Sequence, residues 1–221
     1  MTTLLHLDAS ARANSHSRRL SAAFAQAWRT ARPEDTYVYR DLVADPVPPI
    51  GQAWTELCDY ALEHEITDPA RLPEGARTEA QQAAWAVVEP LLQELVAADV
   101  LLIGTPMYNF SVPASLKAWI DQVTFPKARL DLQVVVASAR GGSYVPGAPR
   151  YAVDHQERYL RDFFDGHFGV TDVTFVNVEW VNATVDPALA NRWDDHQASV
   201  RDAFTAVDDL AGKIATRRTP S

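Results

Sequence analysis

The chain has 221 residues, of which 47% are hydrophobic and 22% charged, so its length and composition are those of one well-buried globular domain. Its net charge of −9, without a basic block to neutralise phosphates, disfavours nucleic acid as a partner. Cys58 is the only cysteine, which excludes an intrachain disulfide, and since neither a signal-like start nor a membrane-length apolar run occurs, we expect a cytoplasmic protein with no membrane partner.

The first part of the chain predicts a strand, a helix and a second strand. Residues 4–7 are a short apolar strand, and apolar residues recur at helical spacing from about Ser17 up to Pro33. Residues 36–39 are β-branched or aromatic, which is typical of a strand.

Residues 43–80 make an unusually long connection between two predicted strands. The pattern predicts an extended proline-rich start, a helix at 52–65 and a surface loop at 66–77. A capping-box signature at Thr78 then opens a helix to about Ala98. Because this connection exceeds what a minimal α/β unit needs, we regard it as a candidate dimer interface.

The rest of the chain continues the alternation of strands and helices. The predicted elements are a buried strand at 100–103, a helix beginning at Pro113, a strand at 134–137, a helix at 153–165, a strand at 173–178 and a last helix capped by Asp186-Pro187. Five strands alternating with helices predict an α/β fold, a doubly wound five-stranded parallel sheet with helices on both faces. We expect a single domain over residues 1–221.

The loop after the third predicted strand has the composition of a ligand site. In open α/β sheets, ligands bind at the carboxyl ends of parallel strands. The loop offers a stiff turn, polarisable and aromatic surface and an amide that both donates and accepts, from Pro106, Met107, Tyr108, Asn109 and Phe110. Such residues suit a flat, conjugated ligand. By itself, the stretch is equally compatible with an ordinary loop whose aromatic side chains enter the core.

The loop after the first strand predicts an anion site. Ser10, Ser15 and Ser17 lie at or just before a helix N-terminus, where free backbone N–H groups and the helix dipole favour negative charge. Arg12 would add positive charge. The alternative is that these serines only cap the helix. The loop is neither a Walker motif nor a GxGxxG fingerprint, which disfavours ATP and a dinucleotide-fold NAD site.

The loop after the fourth strand contains Arg140-Gly141-Gly142. Glycines let a backbone approach a ligand closely, and consecutive N–H groups there could bond the ring edge of a flavin and stabilise its reduced form. A plain turn is the alternative reading.

Other kinds of chemistry have weaker support in the sequence. The six histidines show no paired metal spacing, so we expect no metal site. The segment Asp194-Asp195-His196 is predicted on an exposed helix face. No G-x-S-x-G motif is present for serine hydrolysis.

Taken together, the three loops resemble the FMN-dependent NADH:quinone oxidoreductases known as azoreductases, within the flavodoxin-like superfamily. The resemblance covers nearly the whole chain, and the Pro-Met-Tyr-Asn-Phe loop is its most specific part. The matching segments are Ser10 with Ser15-His16-Ser17, residues 41–48, residues 106–110 with Pro113 and Lys117, residues 139–142, and residues 169–172.

The resemblance implies a flavodoxin-like fold and a homodimer with two active sites at its interface, each with one FMN. It implies a ping-pong reaction in which NADH or NADPH reduces the flavin and leaves, and a small aromatic substrate, a quinone or azo compound, then takes two electrons. The cofactor-binding residues that it implies for the FMN phosphate are Ser10, Ser15, His16 and Ser17. For the flavin ring they are Met107, Tyr108, Asn109 and Phe110 after Pro106, together with Ala139, Arg140, Gly141 and Gly142.

Two departures from the family pattern affect the substrate pocket. Residues 124–131 are all that remains of a longer family segment near the flavin, which puts azo and quinone specificity in doubt. Residues 164–169 also differ from the family, so His167 or Phe168 could face the pocket, and His167 could donate a proton there. A surface or interface histidine is the favoured alternative. A reductase specialised for one substrate and a flavin-binding protein without nicotinamide-driven turnover remain as alternative functions.

Overall fold

A computed structural model of the chain describes residues 1–125 and 129–216. Its five strands are β1 (Thr3–Asp8), β2 (Thr36–Asp41), β3 (Val100–Pro106), β4 (Gln133–Ala139) and β5 (Val173–Val178). Its main helices are α1 (His16–Ala31), α2 (Gln52–Glu63), α3 (Glu79–Val96), α4 (Ala114–Val123), α5 (His155–Phe163) and α6 (Trp193–Thr216).

All strand pairs are parallel, and the sheet order is β2-β1-β3-β4-β5. The middle strand β3 is buried along its whole length, whereas the edge strand β2 is partly exposed. A strand with both faces covered is mostly apolar, which is why β3 begins with the apolar run at residues 100–103. The predicted doubly wound α/β fold is confirmed.

Helices cover both faces of the sheet. On one face, Leu20 and Phe24 of α1 pack with Val207 of α6 against β3 and β4. On the other face, residues of α3, α4 and α5 surround Trp119, which is fully buried. Burial of an aromatic side chain of this size contributes roughly 2–3 kcal/mol relative to exposure. Part of this gain is offset because the Trp119 indole N–H has no hydrogen-bond partner among the described residues.

The long connection at residues 43–80, called the excursion below, contributes to a small separate apolar core. Leu57 of α2 and Leu72 of a 3₁₀ turn (Pro69–Gly75) pack against Val88 of α3. The surface loop predicted at 66–77 therefore contains this ordered turn. The predicted capping box of α3 is present, since the Thr78 side chain accepts from the Gln81 N–H and the Gln81 side chain accepts from the Thr78 N–H.

Two predicted helices have different limits in the structure. Asp186 caps a short 3₁₀ helix, Pro187–Arg192, and α6 begins only at Trp193. The helix predicted at 153–165 is α5, which continues as a π-helical turn over Phe164–Phe168. Within residues 1–125 and 129–216, none of the helices combines the length and the apolar character that crossing a membrane requires.

Candidate active site

The strand order places the carboxyl ends of β1 and β3 side by side, with Asp8 in register with Gly104. The connections from these two strands leave towards opposite ends of the sheet, which opens a crevice between them. Loops after β1, β3, β4 and β5 surround one cavity of about 540 Å³ there. A cavity of this size accommodates a small ligand or cofactor.

We call residues 10–17 the serine turn. Ser15 is the N-cap of α1, and its side chain accepts from the Arg18 N–H at 3.1 Å. Its Oγ also lies 3.2 Å from Ser17 Oγ. Within the described residues, the backbone N–H groups of His16 and Ser17 have no hydrogen-bond acceptor. Two free donors at the positive end of a helix form an anion site.

The side chain of His16 also lines the cavity. Its Nδ1 is buried and has no hydrogen-bond partner in the described part of the chain. Burial lowers the pKa of His16, and nearby His196 and Arg19 lower it further. The imidazole is therefore held towards its neutral form, with a polar nitrogen available to a ligand.

His196 is buried, not on an exposed helix face as the sequence predicted. The first turn of α6 lies against α1, and the His196 ring meets the His16 ring edge-on with centroids 5.0 Å apart. The His196 Nδ1 is 3.0 Å from the carbonyl oxygen of Glu179. The prediction was wrong because it assigned His196 to the same face as Asp194 and Asp195, which are exposed. One turn of an amphipathic helix has both a solvent-exposed and a buried face, and His196 lies on the buried one.

We call residues 106–111 the aromatic loop. Asn109 and Phe110 both adopt left-handed backbone conformations, with φ of 49° and 67°. Two consecutive non-glycine residues of this kind are strained, and such strain is concentrated at functional sites. Reciprocal backbone hydrogen bonds between Tyr108 and Ser111, both 3.0 Å, close the turn. Tyr108 and Phe110 are 37% and 44% exposed, so their rings are available to a ligand.

Residues distant in sequence hold the aromatic loop in place. The buried Gln156 donates to the Pro106 carbonyl at 2.9 Å, and Ser138 donates to Gln156 at 2.7 Å. The Met107 N–H donates to the Ala139 carbonyl at 2.8 Å. These bonds fix the loop against β4 and α5, which offsets the cost of its strained backbone.

We call residues 139–142 the glycine loop. The Arg140 side chain is 1% exposed and pairs with Asp154 at 2.9 Å, Glu157 at 3.2 Å and Glu179 at 3.5 Å. These three carboxylates pair with the two Nη atoms of the guanidinium, while its buried Nε has no hydrogen-bond partner among the described residues. The Arg140 N–H donates to the Val178 carbonyl at 2.8 Å, so both the backbone and the side chain of this residue hold the loop in place. The ion pairs join the glycine loop to α5 and to the end of β5.

The glycines of this loop pack against the loop after β5. The Asn182 N–H donates to the Gly141 carbonyl at 3.1 Å, and the Val181 N–H donates to the Arg140 carbonyl at 2.9 Å. A Cβ added at Gly141 would lie 2.7 Å from Asn182 Nδ2, closer than van der Waals contact allows. The structure thus requires glycine at 141 for contact between two loops, in addition to any approach to a ligand.

Among the described residues, no three His, Cys, Asp or Glu side chains converge as a metal ion would require. The chemistry that the cavity supports is different. An anionic group can bind at the serine turn, and a planar group can bind between the aromatic loop and the glycine loop.

Known proteins share this sequence and fold. A protein of Nocardia farcinica named FMN-dependent NADH:quinone oxidoreductase is 63% identical over 211 residues, 95% of this chain and 98% of that protein. A model of the flavodoxin-like fold matches residues 2–201. The chain belongs to the FMN-dependent NADH:quinone oxidoreductase family of flavodoxin-like proteins.

More distant relatives agree with this placement. A family member of the same name from Nostoc punctiforme is 36% identical and covers 92% of this chain and 98% of its own length. The solved azoreductase of Bacillus anthracis superposes with a TM-score of 0.78, covering 96% of this chain and 100% of that one. Its sequence identity is 24%, so this likeness shows the fold alone.

Most residues implied by the family resemblance lie together in this structure. The implied residues all line the cavity except Ser17 and Gly142, which are both buried. Sequence reasoning gave Arg12 only a supporting role and missed other lining residues, which are Asn14, Tyr144, Arg150, Val181, Asn182 and Thr184. Three of these follow β5, and the rule that ligands bind at carboxyl ends of strands, applied to β5 as well, would have found them.

The two candidates from residues 164–169 lie elsewhere. Phe168 is 1% exposed and belongs to the core, so it does not face the pocket. His167 is exposed and lines a second cavity of about 770 Å³ together with Trp54, Lys117 and Tyr159. The shortened segment at 124–131 is described only in part, since residues 126–128 lie outside the described residues.

Proposed function

We propose that this chain is an FMN-dependent oxidoreductase, which moves two electrons from NADH or NADPH to a small aromatic acceptor, a quinone or an azo compound. The observation that carries the proposal is the cavity itself. It joins two N–H groups at a helix N-terminus, which have no acceptor in the described part of the chain, to a strained aromatic loop in a chain of the quinone oxidoreductase family.

The serine turn fits the phosphate of FMN. The free N–H groups of His16 and Ser17, the hydroxyl of Ser10 and the positive end of α1 are complementary to a phosphate. Arg12 is exposed at the rim and supplies positive charge. The orphan Nδ1 of His16 gives one more polar atom that the phosphate would satisfy.

The aromatic and glycine loops fit the flavin ring. Met107 and Tyr108 offer polarisable surface to one face of a planar ligand, and the glycine-loop backbone offers N–H groups to its edge. When bound, FMN supplies the redox chemistry, taking up two electrons from a nicotinamide and releasing them to the acceptor. The protein's part is to hold the ring, keep one face open and limit water around it.

We further propose that donor and acceptor use the open face in turn, in a ping-pong order, because the loops after β1, β3, β4 and β5 line the same cavity. A homodimer is part of the proposal, with the excursion at 43–80 and the second cavity beside His167 as the surfaces that a second copy would cover. Sedimentation equilibrium measures this directly. The free thiol of Cys58 is compatible with a reducing cytoplasm, which we propose as the compartment.

The test is spectroscopic. The purified protein, supplied with FMN, should bind it and show a flavin spectrum that bleaches under anaerobic NADH or NADPH and returns on addition of a quinone or an azo dye. Stopped-flow reduction with each nicotinamide in turn identifies the donor. Protein that neither binds FMN nor bleaches would contradict the proposal.

Partial outcomes separate the two alternative functions. FMN binding without bleaching by either nicotinamide would indicate a flavin-binding protein that needs another reductant. Bleaching with reoxidation by one acceptor of a broad panel would indicate a specialised reductase.

A further inference from the structure

Arg18 does not line the cavity, yet its side chain ties the serine turn to the rest of the fold. Its guanidinium donates to the Ser10 carbonyl from Nη2 at 2.8 Å and from Nε at 3.2 Å. The same group forms two parallel hydrogen bonds to the Asp41 carboxylate, at 2.7 and 2.8 Å. A planar guanidinium can make these bonds together, whereas a single ammonium cannot.

The Asp41 end of this link is itself fixed. Asp41 ends β2 and accepts from the N–H groups of Val43 and Ala44, at 3.0 and 3.2 Å. The hydrogen bond from Arg18 holds the pKa of Asp41 at about 2, well below its usual value. Arg18 is therefore bound to an ionised carboxylate that belongs to the sheet, which gives its guanidinium an anchor outside the serine turn.

A buried carboxylate beneath the turn completes the surroundings of Arg18. Asp8 lies 3.7 Å from the guanidinium and accepts from Ser21 at 2.9 Å and from Tyr39 at 3.0 Å. The Tyr39 hydroxyl also accepts from Arg18 at 3.3 Å. The guanidinium thus has defined partners around it and little freedom to move.

The serine turn has few other supports near Ser10. Residues 11–14 are exposed. Within the described parts of the chain, the Ser10 carbonyl accepts hydrogen bonds only from Arg18. The Ser10 hydroxyl accepts from the Arg12 N–H at 3.2 Å, so the orientation of Ser10 also sets where that part of the turn lies.

We propose that Arg18 is a positioning residue for the cofactor's phosphate: it holds the Ser10 carbonyl away from the cavity, and so directs the serine turn's donors towards the anion. This inference rests on the proposed function. It also predicts selectivity within the ligand, because among the described residues Arg18 forms no hydrogen bond or ion pair with the aromatic loop or the glycine loop.

The experiment compares two ligands that differ only in the phosphate. Dissociation constants of FMN and riboflavin are measured by flavin fluorescence for the wild type, Arg18→Met and Arg29→Met. Arg29 is the matched control, since it lies on α1, carries the same charge, is exposed and lies 4.9 Å from the Tyr37 ring centroid, away from the cavity lining. Arg18→Met should weaken FMN roughly tenfold and riboflavin less than about twofold, while Arg29→Met leaves both within about twofold.

Two milder variants keep the test decisive if Arg18→Met does not fold. Arg18→Lys retains the charge but not the forked geometry, and Asp41→Asn weakens the anchor of the guanidinium. Both should lower the preference for FMN over riboflavin, by a smaller factor. Equal losses for the two ligands in these variants would overturn the positioning role and leave the proposed function standing. Wild-type protein that binds neither ligand would overturn both.

Discussion

At the serine turn, a helix N-cap and one arginine hold the backbone. The donors proposed to bind the anion lie mostly within the first turn of α1. The aromatic and glycine loops are held differently. Gln156 reaches Pro106 across 50 positions of sequence, and Arg140 pairs with carboxylates from α5 and from the end of β5. The anion end of the cavity is thus built mainly from groups close in sequence, with one anchor to Asp41 of β2, whereas the ring end depends on several contacts between distant segments.

This difference has an energetic consequence. Local groups such as Ser15 and the α1 N–H groups are uncharged, so each contributes modestly to stability. The Arg140 cluster is buried, and a buried charge that loses its partner is costly. We expect changes at the ring end to unfold the protein more readily than changes at the serine turn, and the following predictions test that expectation.

The largest effect should come from Arg140→Met. The change leaves Asp154, Glu157 and Glu179 near one another without their cation, so the free energy of unfolding should fall by roughly 3–5 kcal/mol. Urea denaturation followed by circular dichroism measures it. Arg71→Met is the control, because Arg71 pairs with Glu74 at the surface and its loss should leave stability almost unchanged. Similar stabilities for the two variants would contradict the view that the ring end depends on this cluster.

A smaller effect is expected from Gly141→Ala. The new methyl would overlap the Asn182 side chain, and relieving the overlap should cost about 1–3 kcal/mol of unfolding free energy. The double variant with Asn182→Ala should recover most of that loss, which thermal denaturation would show. Gly212→Ala on α6 has open space around its Cβ and should be stabilising by about 0.5–1 kcal/mol. Failure of the double variant to recover stability would exclude the overlap as the cause.

The smallest effect concerns the pH dependence of the serine-turn anchor. The pKa of Asp41 is lowered to about 2, chiefly by its hydrogen bond from Arg18. A carboxyl whose pKa is lower in the folded state stabilises fully above its unfolded value, near pH 4, and loses that contribution as the pH falls towards about 2. The stability difference between wild type and Arg18→Met should therefore shrink by about 1–2 kcal/mol over that range. Urea titrations at several pH values measure it, and a constant difference would show that Arg18 does not act through Asp41.

The sequence alone predicted a large part of this fold. Continuous apolar runs identify β3 and β4, because strands buried on both faces are made mostly of apolar residues. Capping signals mark the starts of α1 and α3, because a helix N-terminus must satisfy its free N–H groups locally. The Asp186-Pro187 signal was read as the start of the last helix, but a 3₁₀ turn precedes α6 there. Cap and proline signals are shared by both kinds of helix, so they cannot separate them.

For the candidate site, the sequence was enough to identify the serine turn and the aromatic loop as binding segments, since the functional groups of each lie on residues close together in the chain. Only the tertiary structure decided that His196 is buried beside His16, that Arg140 is engaged with three carboxylates, and that the loop after β5 lines the cavity. The structure likewise placed Arg18 on the Ser10 carbonyl. Local hydrogen bonding and hydrophobic periodicity depend on residues a few positions apart and leave a pattern in the sequence. Contacts between distant segments arise only when the sheet brings the carboxyl ends of its strands together, and no short-range pattern records them.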